Sequence, residues 1–98
     1  MTFVRLNQNY FLSNEDIGSL ICVKMLNHYY NEIEEYQNSI ILEFKYNKNN
    51  LQNKHNIRPT HMLILTEKGI KKFIRLDYSK SDIEIKFLSR PKRILLNE

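Results

Sequence analysis

In the segment Ile70–Tyr78 one aromatic ring, Phe73, stands two residues from a cation on either side, Lys71 and Arg75. Alternate side chains of a strand share a face. If the segment is extended, with Ile70, Ile74, Leu76 and Tyr78 inward, this trio turns outward together. The ring then offers a surface on which a base can stack, and the two charges offer contacts to the flanking phosphates, the chemistry of a single-stranded nucleic-acid platform. In the next run Ile83, Ile85 and Phe87 point inward, which places Lys86 outward near them. Arg90, Lys92 and Arg93, beside Pro91, extend the basic set, and Lys45, Lys48, Lys54 and Arg58 add a mobile clamp. The residues expected to contact nucleic acid are therefore Lys71, Phe73, Arg75, Lys86, Arg90, Lys92 and Arg93.

The distribution of charge points the same way. Residues 1–44 carry two cations against six acids, and residues 45–98 carry thirteen cations against five. The halves are thus at −4 and +8, and the basic half calls for an anionic partner, most simply nucleic acid. A basic face can also serve only solubility, with the acidic half partly neutralising it. The competing expectation is a protein-interaction module, such as a phage or viral inhibitor that docks on a host protein. It draws on the surplus of aromatics, on the acidic segment, and on a tail able to pair as an edge strand with a partner.

Other chemistry finds little support. With two glycines, Gly18 and Gly69, there is no glycine-rich phosphate cradle. Cys22 with His28, His55 or His61 is the conceivable nucleophile and base, but a thiol within a long helix is ordinarily buried and inert. One cysteine and three scattered histidines do not make a zinc ligand set. Glu32, Glu34 and Glu35 fit a solvated face. We expect a non-enzyme, with no metal and no cofactor.

The elements that position these residues are read from apolar spacing. Residues 3–6 and 10–12 are short apolar stretches about an Asn7-Gln8-Asn9 turn, with at least one short strand expected. Ser13, with Asp16 three residues on, has the pattern of a capping box. Beyond it Ile17, Leu20, Ile21, Met25, Tyr29, Ile33 and Tyr36 recur at three and four, which predicts one amphipathic helix over residues 14–37. From Ser39 to Tyr46 the period changes to two, as in a half-buried strand. Residues 47–60 form a long polar loop. Strands follow at 61–66, 73–78 and 83–88, the last two joined by a four-residue hairpin turn at 79–82. Residues 89–98 form a basic tail.

Residues 66–70 admit two readings. Glu67-Lys68-Gly69 can be a three-residue hairpin loop with Gly69 left-handed, or Thr66 can cap a helix that buries Ile70, Phe73 and Ile74. Leu65-Thr66-Glu67-Lys68-Gly69 resembles the stretch where winged-helix DNA-binding domains leave the second wing strand and enter a helix. The resemblance covers these five residues. It implies a DNA-binding domain, whose helix-turn-helix would need more than the one long helix upstream.

The expected architecture is therefore α+β. It comprises an N-terminal strand and one long amphipathic helix packed on an antiparallel meander of about four strands, all in one domain of 98 residues. There is no apolar run near eighteen residues for a membrane helix. The N-terminus lacks the apolar core of a secretory signal, and the lone cysteine suits a reducing compartment, so a cytoplasmic setting is expected. Twelve Asn, twelve Ile and ten Lys with no Ala mirror AT-rich codons, as in a phage, a virus or a low-GC bacterium.

Overall fold

The computed structural model describes residues 2–27, 32–46, 58–80 and 82–91. Six antiparallel strands make one sheet: β1 (Val4–Arg5), β2 (Leu20–Asn27), β3 (Glu32–Tyr46), β4 (Pro59–Leu65), β5 (Lys71–Arg75) and β6 (Ile83–Ser89). The spatial order is β1-β6-β2-β3-β4-β5. Among the described residues no helix reaches seven residues, and none is long and apolar enough to cross a membrane.

The α+β expectation is therefore corrected: the segment read as a long helix is the β2–β3 hairpin. The Ser13 signal does start a helical turn. Asp16 Oδ2 accepts from the Ser13 backbone N–H at 3.0 Å. The turn is a single 3-10 turn, Asn14–Asp16, because Ile17 returns to extended geometry and Gly18 takes φ +89°. Residues 20–27 then alternate. Ile21 and Val23 are fully buried on the inner face, and Leu20, Cys22 and Lys24 lie on the outer one. The described positions of the expected helical face are split between the two sides of the sheet, Tyr29 lies outside the described residues, and Ile33 is left 68% exposed.

One sheet forms a core against itself only by curling, and interruptions of the ladder help it bend. Val23 faces Tyr36 while Ile21 faces Ser39, so β3 holds one extra residue between them. Asn38 sits there at φ +49°, a left-handed conformation that Asn tolerates better than most residues. A second register shift lies between Ile41 and Glu43, and a third between Lys45 and Tyr46. The curled inner face gathers Ile21, Val23, Ile41, Met62, Ile64, Ile74, Ile83 and Ile85 into one cluster.

The N-terminal arm, residues 6–19, takes the covering role expected of the helix. Leu6 and Leu12 are buried in the cluster. The Asn7 turn is present as expected, with Asn7 Oδ1 accepting from the N–H groups of Asn9 and Tyr10. The arm is tied to β3 where the Gly18 N–H donates to the Ile41 carbonyl and the Ile41 N–H donates to the Ser19 carbonyl.

Residues 66–70 form a hairpin loop, the first of the two readings. Gly69 has φ +80°, the Thr66 N–H donates to the Ile70 carbonyl, and Leu65 pairs with Lys71. The winged-helix reading fails here, since Lys71–Arg75 is extended. The hairpin expected at 79–82 is also corrected: β6 pairs with β2 and β1, not with β5. Of the expected loop at 47–60, Pro59 and Thr60 already belong to β4 and residues 47–57 lie outside the described residues. Of the expected tail, Ser89 closes β6 and residues 92–98 lie outside them.

Candidate nucleic-acid interface

The outer face of β3, β4 and β5 carries the predicted trio. Lys71, Phe73 and Arg75 are exposed together on β5, with the ring 44% accessible. Their partners on β4 are Leu65, Leu63 and His61 respectively, and His61 in turn faces Lys45 on β3. Directly opposed side chains share a face, so Lys45, His61 and Arg75 form one row across three strands. Lys45 Nζ stands 4.4 Å from the centroid of Phe73. The half-buried Leu63 and Leu65 lie beside the ring, and Glu43 faces Leu63 from β3, so the ring is set among two apolar side chains, the basic Lys45, His61, Lys71 and Arg75, and one exposed acid.

Ile74 and Leu76 turn inward as expected, but Ile70 does not; it sits in the loop, 59% exposed. Lys72, on the inner side of β5, reaches Tyr36, whose ring centroid is 4.9 Å from Nζ, and Glu34 at 4.0 Å. Hydrogen bonding to Tyr36, with Glu34 nearby, holds its pKa above the usual lysine value.

The remaining predicted residues do not join this patch. Lys86 faces outward on β6, but β2, β3 and β4 separate β6 from β5; four strand spacings amount to about 19 Å. There it builds a second cluster: Lys24 Nζ and Lys86 Nζ stand 4.3 and 5.0 Å from the Phe3 ring centroid. Arg90 stacks on Phe87 at 3.9 Å, a ring that packs against the core. Arg58 covers Phe11 and Tyr78. Lys48, Lys54, Lys92 and Arg93 lie outside the described residues. Sequence reasoning missed His61, Phe3 and Lys24 as members of basic clusters, because only strand register brings them beside Arg75 and Lys86.

Cys22 lies on a strand rather than a helix, and its buried thiol donates to Glu35 Oε1 at 3.3 Å. Burial first, and then Glu35, raise its pKa, against the opposing effect of Lys86 and Lys24. The thiolate is thus disfavoured, unlike that of an activated nucleophile. Among the described residues no three His, Cys, Asp or Glu side chains are grouped to hold a metal. Comparison with protein-family models, with curated proteins and with solved structures returned no match.

Proposed function

We propose that the protein binds single-stranded nucleic acid on the outer face of β3–β5. One observation carries the reading: an exposed aromatic ring on the outer face of the sheet, Phe73, has Lys71 and Arg75 beside it on its own strand and Lys45 over it. A base stacks on Phe73 and Leu63, Lys45 swings from the ring to a phosphate, and Lys71 and Arg75 follow the backbone to either side. Duplex is a poorer ligand, because its bases already stack on one another. A free, buried Cys22 suits a cytoplasmic setting for this role.

Fluorescence anisotropy with labelled oligonucleotides at two salt concentrations tests it. A Lys71→Ala/Arg75→Ala variant is expected to weaken binding for every sequence and to flatten the salt dependence. Phe73→Ala is expected to cost roughly 1–3 kcal/mol per stacked base with the salt slope nearly unchanged. Equal weak binding by wild type and the double variant refutes the reading.

The second reading, a protein-docking module, rests on exposed apolar side chains: Ile33, and Ile70 in a pocket shared with Glu35 of β3, Glu67, Lys68 and Lys72. Purification separates the two. A nucleic-acid binder arrives with excess absorbance at 260 nm that high salt removes, and a docking module retains a discrete polypeptide.

A further inference from the structure

Beyond the Arg75 end of the patch lies a cavity of about 680 Å³, lined in part by Arg58, Thr60, His61, Arg75, Asp77 and Tyr78. Its volume falls in the range of small-ligand sites. Arg58 is held in a particular way. Its guanidinium carbon is 5.2 Å from the centroid of Phe11 and 5.8 Å from that of Tyr78. Those two rings meet edge to face with centroids 6.3 Å apart. Tyr78 is itself fixed, its hydroxyl donating to the Pro59 carbonyl at 2.9 Å. A guanidinium held against aromatic rings is pre-oriented and keeps its planar N–H edge for an oxyanion, which it can grip with two parallel bonds. The Nε of Arg58 is buried and has no hydrogen-bond partner in the protein, so what the guanidinium can offer a ligand is its terminal Nη groups.

The other lining groups fit the same ligand. Arg75 brings a second guanidinium from the outer face of β5. Thr60 Oγ1 donates to the Lys45 carbonyl at 3.2 Å and lies 3.0 Å from His61 Nδ1, which orients the imidazole. Among the described lining residues Asp77 is the one acid, and its carboxylate is engaged by the Ser79 hydroxyl and N–H at 2.7 and 3.1 Å, with Lys80 at 4.0 Å. The described lining residues are left with one surplus positive charge.

We propose that this cavity is a phosphate-binding pocket that receives a phosphate group of a nucleotide through Arg58 and Arg75. Resting on the nucleic-acid reading, it adds to it the place where one phosphate is anchored next to the base on Phe73. The phosphate comes either from the end of a bound strand or from a free mononucleotide.

Titrations of isotope-labelled protein with inorganic phosphate, with adenosine monophosphate, and with one oligonucleotide bearing or lacking a 5′-phosphate test the proposal. Amide shifts are expected to concentrate at Thr60, His61 and Asp77–Ser79. Arg75→Gln, at an exposed position that leaves the core intact, is expected to weaken inorganic-phosphate binding about tenfold, and Arg58→Lys similarly, while Ile33→Ala, at a position that is not part of the lining, leaves it unchanged. A gain from the 5′-phosphate identifies a strand end as the source, and tight monophosphate binding with no such gain identifies the free nucleotide. Shifts scattered over all lysines, or binding indifferent to both arginine variants, overturn the pocket even where oligonucleotides still bind through Phe73. Phosphate binding that persists without oligonucleotide binding upholds the pocket and overturns the strand reading instead.

Discussion

Truncating Leu12 to alanine tests whether the N-terminal arm, rather than a helix, closes the core. Leu12 is 1% exposed and sits outside every strand, so its hold on the sheet is made by packing and not by a ladder of hydrogen bonds. Deleting such a side chain removes its transfer free energy and leaves a cavity, about 2–5 kcal/mol together. Total stability for 98 residues is about 5–15 kcal/mol, so the loss is a large share of it. At roughly 4–8 °C per kcal/mol for a domain of this size, a 3 kcal/mol loss lowers the melting temperature by some 12–24 °C. Urea unfolding followed by circular dichroism reads the same change as a lower midpoint at unchanged slope. Ile33→Ala is the control: at 68% exposure it should stay within about 0.5 kcal/mol of wild type. A helix over residues 14–37 reverses the pair, since Ile33 would be core and Leu12 would precede the helix. Leu12→Ala melting like wild type, or Ile33→Ala costing 2 kcal/mol or more, refutes the arm-and-sheet arrangement.

Both glycines lie at positive φ, and an alanine at either should cost about 1–2 kcal/mol. Gly18→Ala should cost more than Gly69→Ala, because its added Cβ meets Pro91 Cγ at 3.3 Å while none is met at Gly69; chemical denaturation ranks them, and the reverse order counts against the Pro91 contact. Cys22 should react slowly with a disulfide reagent in the folded protein and rapidly in urea; a free-thiol rate without urea contradicts its burial. Burial raises the pKa of both Cys22 and Tyr78, so the fold favours their neutral forms. Their contribution is present in full below the unfolded values, near 9.0 and 10.0, and is lost as pH rises through the higher folded ones. Stability measured by urea should accordingly fall above about pH 9, and a flat profile from pH 8 to 11 speaks against it.

The features legible in the sequence were those set by neighbouring residues. Gly69 in its hairpin, the Asn7 turn, the Ser13 helix start and the inward Ile74, Ile83 and Ile85 all follow from local chemistry. The β2–β3 hairpin was obscured by its own irregularities. The extra residue at Asn38 and the shift after Ile41 break the period of two, and β2 is apolar on both faces because Cys22 is buried opposite Val23. Spacings of three and four then arise without a helix. Gly18, inside the expected helix, is the local warning: at φ +89° it ends the turn. The Lys71–Phe73–Arg75 trio was legible by alternation alone. Joining His61 to it, or separating Lys86 from it, required the register of β3 with β4 and the place of β6 beside β2, neither of which leaves a local trace.

That place of β6 has a consequence for the order in which the chain can fold during synthesis. β6 lies between β1 and β2, pairing Ile85 with both Val4 and Val23, so an interior position of the sheet is filled by the latest-made of the described strands. Until residue 89 has emerged, β2 has an open edge and Val23 lacks its neighbour. β1 lacks its one partner among the described strands. The β2–β5 meander can assemble early, but the core closes only after translation has passed β6, across contacts some 60 to 80 residues apart, which are slow to form. A ribosome that stalls before that point holds a chain with an exposed strand edge, the form most prone to pairing with another copy of itself.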